Sequence, residues 1–163
     1  MQAAQFYLVC TLSPGLVIQA GASDGLPPTL QPQDFSNPLQ LWVMQAQVSG
    51  GSQGVALVNP ATGNSATYQG PFESLIMQPY SPGSGDSDAF LLFLGDAAGD
   101  LRIALAKNAT FSWNDYGGNF QVGDPIYLWN DALGNSVWTL QLAGVSSDKV
   151  AIPSIVGEAA AVS

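Results

Sequence analysis

The stretch Leu39-Gln40-Leu41-Trp42-Val43-Met44 decides the fold, because its pattern returns twice at a spacing of 48 residues. The later copies are Asp88-Ala89-Phe90-Leu91-Leu92-Phe93 and Ser136-Val137-Trp138-Thr139-Leu140. A second set of apolar triplets keeps the same spacing: Tyr7-Leu8-Val9, Val55-Ala56-Leu57 and Ile103-Ala104-Leu105. Repetition at a fixed period marks a fold built from copies of one unit that cannot bury its apolar face alone. We therefore predict three packed units, the number that closes a ring.

Each unit is predicted to contain four short strands and almost no helix. Gly (18 residues) and Pro (11 residues) interrupt the chain every few positions, and short apolar runs lie between them, which is typical of an all-β sandwich or barrel. The predicted strands are residues 6–12, 16–20, 29–33 and 39–45, then 55–59, 65–69, 74–78 and 89–94, then 102–106, 111–114, 125–129 and 137–142. We expect a closed barrel capped by hairpins, since closure removes free sheet edges.

The chain of 163 residues is predicted to form a single domain, residues 1–163. Its repeats are expected at about 6–50, 51–100 and 101–145, followed by a C-terminal extension at 146–163. In the extension, residues 150–152 could pair as a further strand, residues 150–156 could form a homodimer interface, and residues 158–163 are expected to fray. The amino terminus lacks the basic segment of a signal peptide. We therefore expect a protein that is cytoplasmic, or secreted without a signal peptide.

Charge and missing side chains exclude several functions. The net charge is −9, and Arg102, Lys107 and Lys149 are the only cations, so the chain lacks the cationic surface that nucleic acids or anionic lipids require. It has no His and one Cys, which excludes His-dependent catalytic triads and the usual zinc sites. We predict a protein that is not an enzyme, has no cofactor and no metal, and keeps Cys10 as a buried, inert thiol.

Two short motifs carry a family resemblance. Gln40-Leu41-Trp42 and its variant Ser136-Val137-Trp138 resemble the Gln-x-Trp motif of the ricin-B-type β-trefoil lectins, although repeat two has Asp88-Ala89-Phe90 instead. Residues 55–63 are similar to the opening hairpin of such a unit, and the resemblance covers roughly residues 6–142. It implies a β-trefoil of three four-strand repeats with pseudo-threefold symmetry. It also implies a lectin that binds galactose or N-acetylgalactosamine.

The resemblance places the sugar site in repeat three. Aligning the third strands through Gln31, Gln78 and Tyr127 brings Trp129 to the position where the family stacks an aromatic ring on the apolar face of a sugar. Asp115, or Asn114 beside it, would accept hydrogen bonds from sugar hydroxyls, since bonds to a carboxylate are strong. Asn135 would be the amide that precedes the Gln-x-Trp aromatic. Gly117 and Gly118 would leave room for the ligand. We expect Asp115 and Trp129 to lie at the barrel rim.

The other two repeats match less well. The same alignment gives Tyr80 to repeat two, but that repeat has Ala66 and Thr67 where the carboxylate belongs and Ser87 in place of the amide, so at most a weak site is expected. Repeat one offers Gln33 and Leu39 and is predicted to be inactive. The acidic run Asp86-Ser87-Asp88 could share a calcium ion, but a solvated loop is the preferred interpretation.

The repeated aromatic residues Trp42, Phe90 and Trp138 are predicted to be core residues rather than binding residues, because large aromatic side chains dominate core burial. Two rival functions stay open. One is a β-trefoil protease inhibitor that presents the hairpin Lys107-Asn108-Ala109 to a protease. The other is an unliganded structural or delivery domain.

Overall fold

The computed structural model describes residues 3–49, 52–83, 87–94, 99–130 and 136–144. These residues form twelve strands, with 3-10 turns at Pro38–Gln40 and Tyr116–Gly118 and no α-helix among them. The strands are β1 (Phe6–Cys10), β2 (Leu16–Gln19), β3 (Thr29–Pro32), β4 (Val43–Ser49), β5 (Ser52–Asn59), β6 (Asn64–Thr67), β7 (Ile76–Pro79), β8 (Phe90–Leu94), β9 (Asp100–Leu105), β10 (Asn108–Asp115), β11 (Ile126–Trp129) and β12 (Trp138–Leu142). Each corresponds to a predicted strand, so the all-β prediction is confirmed.

Six strands close into a barrel. Antiparallel pairing runs from β1 to β12, β9, β8, β5 and β4 in turn. A bridge between Phe6 and Trp42, the residue before β4, completes the circle. The ring therefore has no open edge that could pair with another chain.

The three remaining hairpins, β2–β3, β6–β7 and β10–β11, form the cap. Equivalent main-chain bonds join them in a cycle. The amide N–H groups of Gly25, Phe72 and Gly123 donate to the carbonyls of Met77 (2.8 Å), Leu128 (3.1 Å) and Leu30 (2.8 Å). The hydrogen bonds thus make Leu30, Met77 and Leu128 threefold equivalents, and the predicted pseudo-threefold symmetry is present.

The repeated aromatic residues lie in the core, as predicted. Trp42, Phe90 and Trp138 are each 0% exposed, and the Trp42 indole donates to the Ile18 carbonyl at 2.9 Å. Trp113 joins them, with its ring centroid 6.2 Å from Trp42 and 5.2 Å from Phe90 in edge contacts. Cys10 is buried, as predicted, and this burial raises the pKa of its thiol.

The largest boundary difference is at β4, which begins at Val43 instead of the predicted residue 39. Asn37 caps the preceding 3-10 turn, because its side-chain oxygen accepts from the Leu39 amide at 3.0 Å. Gln40, the first residue of the Gln-x-Trp motif, is buried. Its side chain accepts from the Asp34 amide at 2.8 Å and donates to the Pro32 carbonyl at 2.9 Å. The motif glutamine therefore ties the end of β3 to the barrel.

The predicted strand at 150–152, the interface at 150–156 and the frayed end at 158–163 all lie outside the described residues. They stay predictions. Within the part of the chain that the structure describes, no helix is long and apolar enough to cross a membrane.

Candidate functional site

The β10–β11 hairpin carries the predicted site. Its register sets Asn114 opposite Tyr127 and Asp115 opposite Ile126. Opposed residues share one face of a hairpin, and the face alternates along each strand. Ile126 belongs to the core cluster, so Asp115 points to the core side. Asn114 lies on the other face, which it shares with Trp129.

Asp115 does not have the expected rim position. It is 1% exposed, and its Oδ2 accepts a hydrogen bond from the Phe120 amide at 2.8 Å. Burial raises the pKa of the Asp115 carboxyl, and the Asp124 carboxylate adds to this effect, while the bond from Phe120 opposes it. The carboxylate therefore fixes the turn at residues 116–120, and its role as a sugar ligand stays a prediction.

Asp115→Ala is expected to lower the free energy of unfolding by about 1–3 kcal/mol, since the Phe120 amide would lose its acceptor inside the protein. Chemical denaturation measures this change. Asp115→Asn is the control, because it keeps an acceptor oxygen and should cost less. An alanine variant with unchanged stability and lost sugar binding would restore the rim position that the sequence suggested.

Asn114 lies opposite Tyr127, and only the nitrogen of its side-chain amide is hydrogen-bonded among the described residues. Its amide nitrogen donates to the Ser112 carbonyl at 2.8 Å, and the residue is 2% exposed. Among the described residues, its Oδ1 has no hydrogen-bond partner. A buried acceptor without a donor costs free energy, so a rearrangement that brought this closed-off oxygen to a hydroxyl or water would be favoured.

Two further predicted site residues have different outcomes. Asn135 lies outside the described residues. Gly118 follows β10 with φ of 68°, next to Gly117 with φ of 76°. This left-handed backbone favours glycine by itself, and the room that Gly118 would leave for a ligand stays a prediction.

Trp129 presents an aromatic surface to solvent. It is the last residue of β11 and is 44% exposed. The Phe72 ring, from the neighbouring repeat, contacts it with centroids 4.6 Å apart and ring planes at 69°. Phe72 also contacts Phe111 at 5.8 Å. Trp129 therefore stands in an aromatic cluster with much of its indole in water.

The threefold hydrogen bonds correct the alignment of the third strands. Because Leu30, Met77 and Leu128 are equivalent, the residues that follow them, Gln31 and Gln78, correspond to Trp129. The sequence alignment was displaced by two residues, since it matched these glutamines to Tyr127. Repeats one and two therefore have glutamine where repeat three has its exposed indole.

The sequence alignment matched Tyr80 and Gln33 to Trp129, and neither residue is its threefold equivalent in the structure. The Tyr80 hydroxyl donates to the Ala46 carbonyl at 3.3 Å, and burial, with the Asp88 carboxylate second, raises the pKa of Tyr80. The Gln33 amide donates to Gln141 at 2.8 Å. Both side chains bind neighbouring strands of their own chain.

Phe72 is the residue that the sequence did not reveal. Its φ is 64°, and its threefold equivalents are Gly25 at 80° and Gly123 at 93°. A bulky residue in this left-handed region is an outlier, and such strain costs about 1–3 kcal/mol. The sequence contained one signal for this residue, its spacing. Like its two equivalents, Phe72 lies five positions before a buried residue of the third strand in its repeat; these buried residues are Leu30, Met77 and Leu128.

Asp88 is not the solvated loop residue that was expected. It is 5% exposed, and its carboxylate accepts from the Gln47 amide at 2.7 Å and the Ser65 hydroxyl at 3.2 Å. Asp86 lies outside the described residues. Across the residues that are described, no three His, Cys, Asp or Glu side chains are grouped to hold a metal ion.

Comparison with known proteins shows the fold. No family model and no curated protein sequence matches the chain. A mosquitocidal holotoxin superposes with a TM-score of 0.72 at 11% identity, over 86% of this chain and 17% of that chain. The designed threefold-symmetric protein ThreeFoil gives 0.70 at 16% identity, over 84% of this chain and 97% of that chain. The Macrolepiota procera ricin B-like lectin, in complex with lactose, gives 0.67 at 16% identity, over 86% and 96%.

The chain is also similar to the β-trefoil named BEL. All these similarities agree with the closed barrel and its hairpin cap. The chain is a β-trefoil, as the sequence predicted. It spans only 17% of the holotoxin chain.

Proposed function

We propose that this protein is a lectin without catalytic activity, and that it binds a glycan in repeat three around Trp129. The observation that carries the proposal is the exposure of Trp129, which is 44% exposed at the end of the cap strand β11. Burying an aromatic face against the apolar face of a sugar removes both surfaces from water. Gln31 and Gln78, at the equivalent positions, offer no ring for stacking.

Polar recognition is proposed to come from Asn114 and Asn135. The Asn114 Oδ1 lacks a partner among the described residues, and a sugar hydroxyl supplies the missing donor once the buried side chain turns outward, directly or through one water. Diagonal neighbours on one face of a hairpin lie about 7–8 Å apart, which places Asn114 within one sugar residue of Trp129. Asn135 keeps the amide role that the family resemblance implies.

Galactose or N-acetylgalactosamine is the proposed sugar type. The resemblance of the Gln-x-Trp motif implies it, and the Macrolepiota procera lectin of the same fold was solved with lactose. Composition agrees with a neutral partner. Charged residues make up 9% of the chain and the net charge is −9, so polyanions such as nucleic acids are disfavoured.

A glycan array tests the proposal, with a protease panel beside it for the inhibitor alternative. We expect signals on glycans that end in galactose or N-acetylgalactosamine and no inhibition of the proteases. Lys107 would be the inhibitory residue, but its ammonium lies 4.7 Å from the centroid of the Tyr68 ring of the same chain. Protease inhibition without any glycan signal would contradict the lectin proposal.

A further inference from the structure

We infer that Phe72 is a second binding residue of the Trp129 site, so that the site spans repeats two and three and takes two linked sugar residues. This inference rests on the proposed lectin function and extends it to a particular size of ligand. Phe72 belongs to repeat two and Trp129 to repeat three, yet their ring centroids are 4.6 Å apart.

The backbone at Phe72 does not explain its side chain. The equivalent positions, Gly25 and Gly123, make the same main-chain bond to the neighbouring hairpin without any side chain. The cap therefore forms with glycine at this position. A phenylalanine with φ of 64° carries strain that glycine would avoid, and strained residues cluster at functional sites.

Core packing does not explain the ring either. Phe72 is 46% exposed, so almost half of an apolar ring faces water. Its amide donates to the Leu128 carbonyl at 3.1 Å, which fixes the residue beside the end of β11. An exposed ring that already packs against another exposed ring provides contact area and has less entropy to lose on binding than a free side chain.

The angle between the rings determines the size of the ligand. Their planes meet at 69°, so a flat sugar face that lies parallel to the indole cannot also lie parallel to the Phe72 ring. A second sugar, joined through a rotatable glycosidic bond, can turn its own face toward Phe72. The terminal sugar stacks on Trp129 and the adjoining sugar contacts Phe72.

The test compares galactose with lactose in calorimetric titrations of wild type and Phe72→Gly, the residue that the other two repeats carry. We expect the variant to bind lactose about three- to tenfold more weakly, since an aromatic contact is worth that range. Its affinity for galactose should stay within about twofold, because the Trp129 contact is kept. The melting temperature should change little, since relief of the backbone strain offsets the lost ring contacts with Trp129 and Phe111.

Phe35→Ala is the matched control, because Phe35 is also an exposed phenylalanine, 68% accessible, but packs on Tyr7 in repeat one. It should change neither affinity. Unchanged lactose binding by Phe72→Gly, or an equal loss for both sugars, would overturn the two-sugar inference while leaving the lectin function intact. Wild-type protein that binds neither sugar would contradict the galactose-type function and this inference with it.

Discussion

Trp42→Ala is expected to lower the free energy of unfolding by about 3–5 kcal/mol, because it removes a large buried side chain and leaves a cavity. Trp42 is 0% exposed, and its ring packs against Trp113 at the centre of the barrel. Its loss also leaves the Ile18 carbonyl without the indole donor. A domain is stable by only about 5–15 kcal/mol, so the variant should be close to unfolding. Denaturant titration followed by circular dichroism measures the change.

Trp129→Ala is the matched control for this experiment, since the same substitution at a residue 44% exposed opens no comparable cavity. Trp138→Ala should behave like Trp42→Ala. A Trp138→Ala variant that keeps its melting temperature but loses glycan binding would show that the assignments of core and site are exchanged.

Trp129→Ala is expected to weaken glycan binding by about 30-fold while leaving the melting temperature nearly unchanged. The exposed part of the indole is on the order of 100 Å², and burying it against a sugar contributes about 2 kcal/mol, or about 30-fold in affinity. Titration calorimetry with lactose measures the loss. Trp129→Phe should retain part of the affinity, because it keeps a smaller aromatic face.

Tyr80→Ala is the control in repeat two. Tyr80 donates to the Ala46 carbonyl and lies away from the position equivalent to Trp129, so its removal should leave lactose binding unchanged. If Tyr80→Ala abolishes binding and Trp129→Ala does not, the working site is in repeat two.

The fold was predictable because its signals are periodic. Trp42, Phe90 and Trp138 recur at 48 residues, and each occupies the same buried position in the barrel. Gly and Pro mark the turns, so the twelve strands were located with errors of a few residues at their ends. The exception was β4, where the Asn37 cap holds Pro38–Gln40 in a 3-10 turn. Such a cap depends on one side-chain hydrogen bond, which strand patterns do not reveal.

The site was harder to predict because it depends on register. Asn114 and Asp115 are adjacent, and a shift of one residue moves a strand side chain to the opposite face. Only the pairing of β10 with β11 shows that Asn114 shares the face of Trp129. Phe72 was missed for a related reason: its proposed role depends on a left-handed φ and on contact between two repeats.

The central claim, glycan binding at Trp129, is tested most directly by NMR titration of the indole N–H signals with lactose. The chain has four tryptophans, and Trp42, Trp113 and Trp138 are fully buried. The signal that disappears in Trp129→Ala identifies the exposed indole. We predict that lactose shifts this signal in a saturable manner and leaves the three buried indoles nearly unchanged. A saturable response at any other indole, or no response at Trp129, would contradict the claim.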